Sequence, residues 1–172
     1  MNRRSLLAAL LCLPLVPPVL ADMFLTPPAP LEPADRLVLR KSERDLTLYR
    51  NGQPVRSYRV SLGLSPQGHK EREGDFRTPE GRYLLTFRNP QSEYFLSIQV
   101  SYPNAEDVAH ARRNGWSPGG AIMIHGLPNL PRHPRDRYLS TDWTDGCIAV
   151  SNEDMLEIWL LTRRDTPIEI LP

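Results

Sequence analysis

The chain has 172 residues, of which 40% are hydrophobic and 24% charged, and a formal net charge of +1 at pH 7. That is enough for one domain with a real core. The near-balance of charge excludes a purely electrostatic partner, so neither nucleic acid nor an anionic membrane surface is expected to bind.

The amino terminus reads MNRRSLLAALLCLPLVPPVLAD. Arg3 and Arg4 give it a basic start, and Leu6 to Val16 is an apolar run of export-signal length, too short to span a bilayer as a helix. Val19 and Ala21 occupy the places of a small-residue cleavage site. Residues 1–21 are therefore expected to be a signal peptide cut after Ala21, directing the protein to the periplasm, with an uncleaved anchor as the competing reading. Cys12 sits in mid-run behind Leu11, a poor lipidation site. Nothing after residue 22 is long and apolar enough for a transmembrane segment in the mature form.

Residues 22–34 include TPPAPLEPA and predict an extended, proline-rich linker. Residues 35–172 are expected to form one mostly β domain. Arg36–Lys41 and Asp45–Arg50 alternate as half-buried strands, and Asn51-Gly52 signals a hairpin turn into a strand over Val55–Leu62. A turn-rich stretch, SPQGHKEREGD, precedes strands over Gly81–Arg88 and Phe95–Ser101. Ala105–Arg113 has helical composition, with Asn104 as N-cap and Asn114-Gly115 as its stop. Ala121–His125 and Cys147–Val150 read as short buried strands, separated by a long loop from Leu127 to Asp142 that holds Pro128, Pro131 and Pro134. Ser151 caps a second helix carrying Met155, Ile158 and Trp159, and Pro167–Leu171 closes the chain as a strand.

Beyond the amino-terminal segment only one cysteine remains, Cys147, in TDWTDGCIAV. A lone thiol in an exported protein is a buried small hydrophobe, an intermolecular disulfide partner or a nucleophile, and its count alone does not choose. Two strands end in reactive side chains, AIMIH on His125 and CIAV on Cys147. If they are neighbours, the imidazole can take the thiol proton and return it to a leaving amine. Gly146 lets backbone amides approach a carbonyl, so the N–H groups of Gly146 and Cys147 are a candidate oxyanion hole. Around this pair, Thr144 and Ser140 are candidates to hydrogen-bond near the nucleophile, while His69 and His133 are candidates to line the substrate site. Tyr94 reads as a rim residue, Trp143 as a wall and His110 as surface. No His or Cys pair has zinc-like spacing, and no metal or other cofactor is expected.

Thr78-Pro79-Glu80-Gly81, Ile122-Met123-Ile124-His125-Gly126 and Thr144-Asp145-Gly146-Cys147-Ile148-Ala149-Val150, in that order, resemble the landmarks of the L,D-transpeptidase catalytic domain (YkuD type), over most of Arg36 to Leu171. The resemblance implies a β-sandwich-like fold with two or more short helices. It implies a peptidoglycan stem tetrapeptide with a diamino acid in third position as substrate, attacked through an acyl-enzyme. Cys147 matches the nucleophile, His125 the general base, and the Gly126 carbonyl the acceptor that fixes the imidazole tautomer. The sequence departs from the commonest pattern at Asp145, where a histidine is usual, and at Ala149. Asp145 opposes thiolate formation by like charge, or grips a substrate ammonium. The residues behind the cysteine resemble the YafK-type subgroup. This keeps open a hydrolase that releases a D-amino acid or a peptidoglycan-linked lipoprotein. A binding module that has lost its chemistry is also open.

Overall fold

The computed structural model describes residues 31–172. The expected signal peptide at 1–21, Cys12 and most of the linker at 22–34 lie outside the described residues. The last linker residues are fastened to the domain: Ala34 is buried, its N–H donates to the Leu161 carbonyl at 2.7 Å, and Arg50 reaches the Pro33 carbonyl at 3.2 Å.

Eight strands and three helices follow in the described residues. They are β1 (Arg36–Arg40), β2 (Asp45–Arg50), β3 (Gln53–Arg59), β4 (Gly81–Ser92), β5 (Phe95–Val100), α1 (Ala105–Arg113), β6 (Met123–His125), α2 (Arg135–Ser140), β7 (Ile148–Ala149), α3 (Asn152–Leu161) and β8 (Pro167–Leu171). The strands form one sheet in the order β3-β2-β1-β8-β4-β5-β6-β7. β4 is the shared strand: Gly81–Leu84 pair with β8, and the rest pairs with β5 through two register shifts. Such irregularities bend a strand and increase its twist, so the sheet curls until its ends meet. Ser61, just past β3, exchanges two backbone hydrogen bonds of 2.8 Å with Ala149 of β7. The mostly β, sandwich-like expectation therefore holds.

The alternation that predicted the strands is what fills the core. Leu37, Leu39, Leu46, Leu48, Ile98, Ile124, Ile148, Ile168 and Ile170 are all buried between the layers with Met155 and Ile158 of α3. Each contributes about 1.5–3 kcal/mol by leaving water. The Asn51-Gly52 turn has both residues at positive φ, at 51° and 77°. Asn104 caps α1 in a full capping box with Asp107, and Ser151 caps α3 by accepting from the Asp154 N–H.

Three expectations need correction. β4 runs to Ser92, past the predicted end at Arg88, because the register shift between Asn89 and Ser92 accommodates Pro90. The strand predicted over Val55–Leu62 spans Gln53–Arg59, and Ser61 then makes its isolated bridge. The segment predicted as one loop from Leu127 to Asp142 contains α2, which starts immediately after Pro134. A proline fits just before a helix, where its missing N–H costs nothing. Tyr138 pins α2 to the domain: its carbonyl accepts from Ser61 Oγ at 2.7 Å and from Trp143 Nε1 at 3.0 Å.

Candidate active site

The two reactive strand ends are brought together. β6 and β7 are parallel neighbours, with Ile124 opposite Ile148 and His125 opposite Ala149. Ile124 and Ile148 face the core at 0% exposure, so strand alternation turns Met123, His125 and Cys147 to the other face. Adjacent strands about 4.8 Å apart, with two residues of advance, set the Cα atoms of His125 and Cys147 about 8 Å from each other. An imidazole and a thiol span that diagonal jointly. Both side chains line one cavity of about 430 Å³, together with Tyr94, Ser97, Trp143, Thr144 and Asp145.

His125 is 5% exposed, and its Nδ1 lies 2.7 Å from the Gly126 carbonyl. A carbonyl only accepts, so Nδ1 carries the proton and Nε2 keeps its lone pair. Gly126 can hold that carbonyl in place because the chain is pinned there. Its N–H lies within reach of the Tyr94 and Leu96 carbonyls at 3.1 and 3.2 Å, and a Cβ would sit 2.6 Å from Asn152 Oδ1. The rings of Tyr94 and Trp143 pack on the imidazole at 4.7 and 5.7 Å between centroids. Burial, only partly offset by the Gly126 bond, lowers the His125 pKa to about 4. The ring is a neutral base at neutral pH.

The Cys147 sulfur accepts the Met123 N–H at 3.4 Å and sits 3.6 Å from the Ala121 carbonyl, which takes its S–H. His125 is not a hydrogen-bond partner of the sulfur. Burial raises the thiol pKa; the Met123 N–H opposes this, the Asp145 charge adds to it, and Lys70 opposes it. The resting pair is therefore thiol and neutral imidazole. Gly146 holds φ +131°, and a Cβ there would meet the Arg77 carbonyl oxygen at 2.6 Å, so only glycine makes this turn. Thr144, 3% exposed, braces it: its hydroxyl donates to the Cys147 carbonyl at 2.7 Å and accepts the Gly146 N–H at 3.2 Å. Of the two donors expected for an oxyanion, that of Gly146 is thus engaged. The Cys147 N–H has no protein acceptor among the described residues.

The remaining predicted residues divide. Thr144 and Asp145 line the cavity, Asp145 from its exposed lip. His69 does not reach it: Nδ1 accepts the Glu80 N–H at 3.0 Å and Nε2 lies 3.1 Å from Asp107 Oδ1, so it ties the turn-rich segment to α1. Ser140 donates to the Asp136 carbonyl at 2.7 Å inside α2 and faces solvent. His133 lies in a neighbouring cavity that shares Tyr94 and Trp143 with the Cys147 cavity. Sequence reasoning missed Ser97 and Glu93. Ser97 stands directly opposite His125 in the β5–β6 register. The alternation of FLSIQV, with Ser97 and Gln99 set between the apolar Leu96, Ile98 and Val100, was the available signal. Among the described residues no cluster of three or more His, Cys, Asp or Glu is set to hold a metal ion.

Residues 34–170 match the L,D-transpeptidase catalytic domain, YkuD. The chain is 35% identical over 127 residues to YafK of Escherichia coli (strain K12), provisionally named an L,D-transpeptidase; the match covers 69% of this chain and 43% of YafK. The chain thus spans less than half the length of that relative. Among solved structures, Pgp2, the helical cell shape determining protein from Campylobacter jejuni, superposes with a TM-score of 0.59 at 24% identity, over 81% of this chain and 48% of Pgp2. An L,D-transpeptidase from Mycobacterium smegmatis gives a TM-score of 0.55 at 13% identity, over 81% of this chain and 59% of that one. At these identities the structural likeness is one of fold.

Proposed function

The chain belongs to the YkuD family of L,D-transpeptidase catalytic domains, and we propose that it is a periplasmic cysteine acyltransferase acting on peptidoglycan stem tetrapeptides. The supporting observation is the pairing of β6 with β7, which opens His125 and Cys147 into one cavity with His125 Nε2 left as an unprotonated base. As the sulfur attacks the carbonyl between the third residue and the terminal D-residue, its proton passes to Nε2. The Cys147 N–H stabilises the oxyanion. The imidazolium then protonates the departing amine of the D-residue, leaving a thioester on Cys147. An acceptor amine attacks the thioester, its proton goes to His125, and the released thiolate takes that proton back. Water in place of the amine makes the same acyl-enzyme a hydrolase. Export rests on the apolar run within residues 1–21, with residues 22–34 as a proline-rich linker.

Purified protein incubated with disaccharide-tetrapeptide should give a crosslinked dimer by mass, with one terminal D-residue released per bond formed. Tripeptide alone would assign the hydrolase. Cys147→Ala and His125→Ala should give neither product, and wild-type protein that makes neither refutes the enzyme reading.

A further inference from the structure

Neither lysine nor arginine lines the Cys147 cavity, and its one imidazole, His125, is neutral. Its two acids are Glu93, in the turn from β4 to β5, and Asp145, two residues before the nucleophile. Other acids nearby are committed, Asp75 to Lys70 at 2.7 Å and Glu71 to Arg77 at 3.1 Å. Glu93 and Asp145 have neither an ion-pair nor a side-chain hydrogen-bond partner among the described residues. A third group is uncommitted: Ser97, 5% exposed, lines the same cavity, and its hydroxyl makes no hydrogen bond among the described residues. No buried side-chain nitrogen or oxygen among the described residues lacks a partner, so the unengaged Ser97 oxygen is the part of this otherwise buried side chain that opens into the cavity, where it is free to bond a ligand atom. Tyr94 and Trp143, with ring centroids 6.0 Å apart, line the same space.

Two carboxylates, an unengaged hydroxyl and two aromatic rings, with no lysine or arginine beside them, form a receptor for an ammonium group. Its three N–H donors match the three acceptors, and aromatic rings attract cations. We propose that the cavity seats a non-reacting primary ammonium of the acyl donor, with Glu93 and Asp145 as counter-charges and Ser97 Oγ as the neutral acceptor. The charge belongs to the donor because an attacking amine must shed its proton, and adjacent carboxylates stabilise the protonated form. The diamino acid that the family resemblance implies in the stem peptide carries such an amine. Asp145 is then a specificity residue whose cost is the like-charge opposition it exerts on the thiol. This rests on Cys147 carrying the acyl group.

The test has two arms. In the first, full-length protein and the Glu93→Gln/Asp145→Asn double variant react with a cationic and an anionic methanethiosulfonate of equal size, and Cys147 modification is timed by mass. The cation-to-anion rate ratio should exceed that of free cysteine about fivefold in wild type, and fall to the free value in the double variant. Both acids are exposed, so the variant should fold; its far-UV spectrum and melting curve confirm this. A ratio unchanged by the substitutions overturns the proposal. In the second arm, KM is compared for a stem tetrapeptide with the side-chain amine free and with it acetylated. Acetylation should raise KM about fivefold for wild type and leave the double variant indifferent, and Ser97→Ala should raise KM only for the free amine. Equal KM values for the two peptides in wild type overturn the seat. If neither peptide is turned over, the enzyme reading fails, and the reagent ratio still decides the seat.

Discussion

Lowering the pH from 7 to 4 should destabilise this protein through His125. Burial takes the ring from its ordinary 6.5 in the unfolded chain to about 4 in the fold. Between those values the unfolded chain binds the extra proton, so stability is fully present above pH 6.5 and is lost as the pH falls toward 4. The gap of about 2.5 pH units corresponds to about 3 kcal/mol, a large share of the 5–15 kcal/mol typical of a folded domain. Urea unfolding at pH 7, 6, 5 and 4 measures it, with His125→Gln as the control. The variant lacks this titration, so its stability should fall about 3 kcal/mol less than wild type across that range. Carboxylates held low in the fold, such as Asp75 with its Lys70 bond and three backbone N–H donors, lose stability in both proteins and cancel in the difference. The same proton should set the acid limb of kcat/KM near pH 4. Parallel stability curves for the two proteins, or an acid limb near 6.5, would refute the buried neutral base.

Two further substitutions probe the frame around the site. Thr144→Val removes the hydroxyl that joins the Gly146 N–H to the Cys147 carbonyl; it should cost about 1–3 kcal/mol and lower kcat with little change in KM, while Thr144→Ser keeps both. Equal kcat for the valine and serine variants would show that the brace does not position the thiol. Lys41, 2% exposed, donates to the Gly68 and Thr78 carbonyls at 2.6 and 2.9 Å and to Glu80 Oε1 at 2.8 Å. Lys41→Met should therefore destabilise by about 3 kcal/mol, read by urea midpoint, and a loss under about 1 kcal/mol would show that the turn-rich segment holds itself.

What could be read from the residues was whatever depends on local order. The period-2 alternation of RLVLR and DLTLYR, the Asn51-Gly52 turn and the Asn104 and Ser151 caps are short-range signals, and each element stands where they put it. The pairing of β6 with β7 was a conjecture from two strand ends, and the chain folds to it. Long-range burial left no local trace. Lys41 and Lys70 are 2% and 3% exposed, held by carbonyls and by Glu80 and Asp75, partners that their own neighbours in sequence do not announce. α2 was hidden because three prolines argue for a loop, while its anchor is the contact of Tyr138 with Ser61, far away in sequence. His69 was misplaced for the same reason, its partner Asp107 lying on a helix that sequence spacing could not position.

The charge state of the resting site follows from this burial and constrains how the chemistry starts. With the thiol raised above its ordinary value and the imidazole lowered to about 4, forming a thiolate–imidazolium pair before substrate arrives is uphill. The S–H instead rests on the Ala121 carbonyl, whose residue is held at φ +55° in the glycine-rich turn before β6. Proton transfer is favourable only when the negative charge has somewhere better to go, and the carbonyl oxygen facing the unengaged Cys147 N–H is that place. Under the proposed mechanism deprotonation and attack are thus coupled, and a small neutral alkylating agent, which offers no oxyanion, should gain nothing from His125. With export as proposed, that arrangement suits the single cysteine of the described residues in an oxidising compartment: the thiol stays neutral until a carbonyl is bound, and thiolate is the form that oxidation consumes.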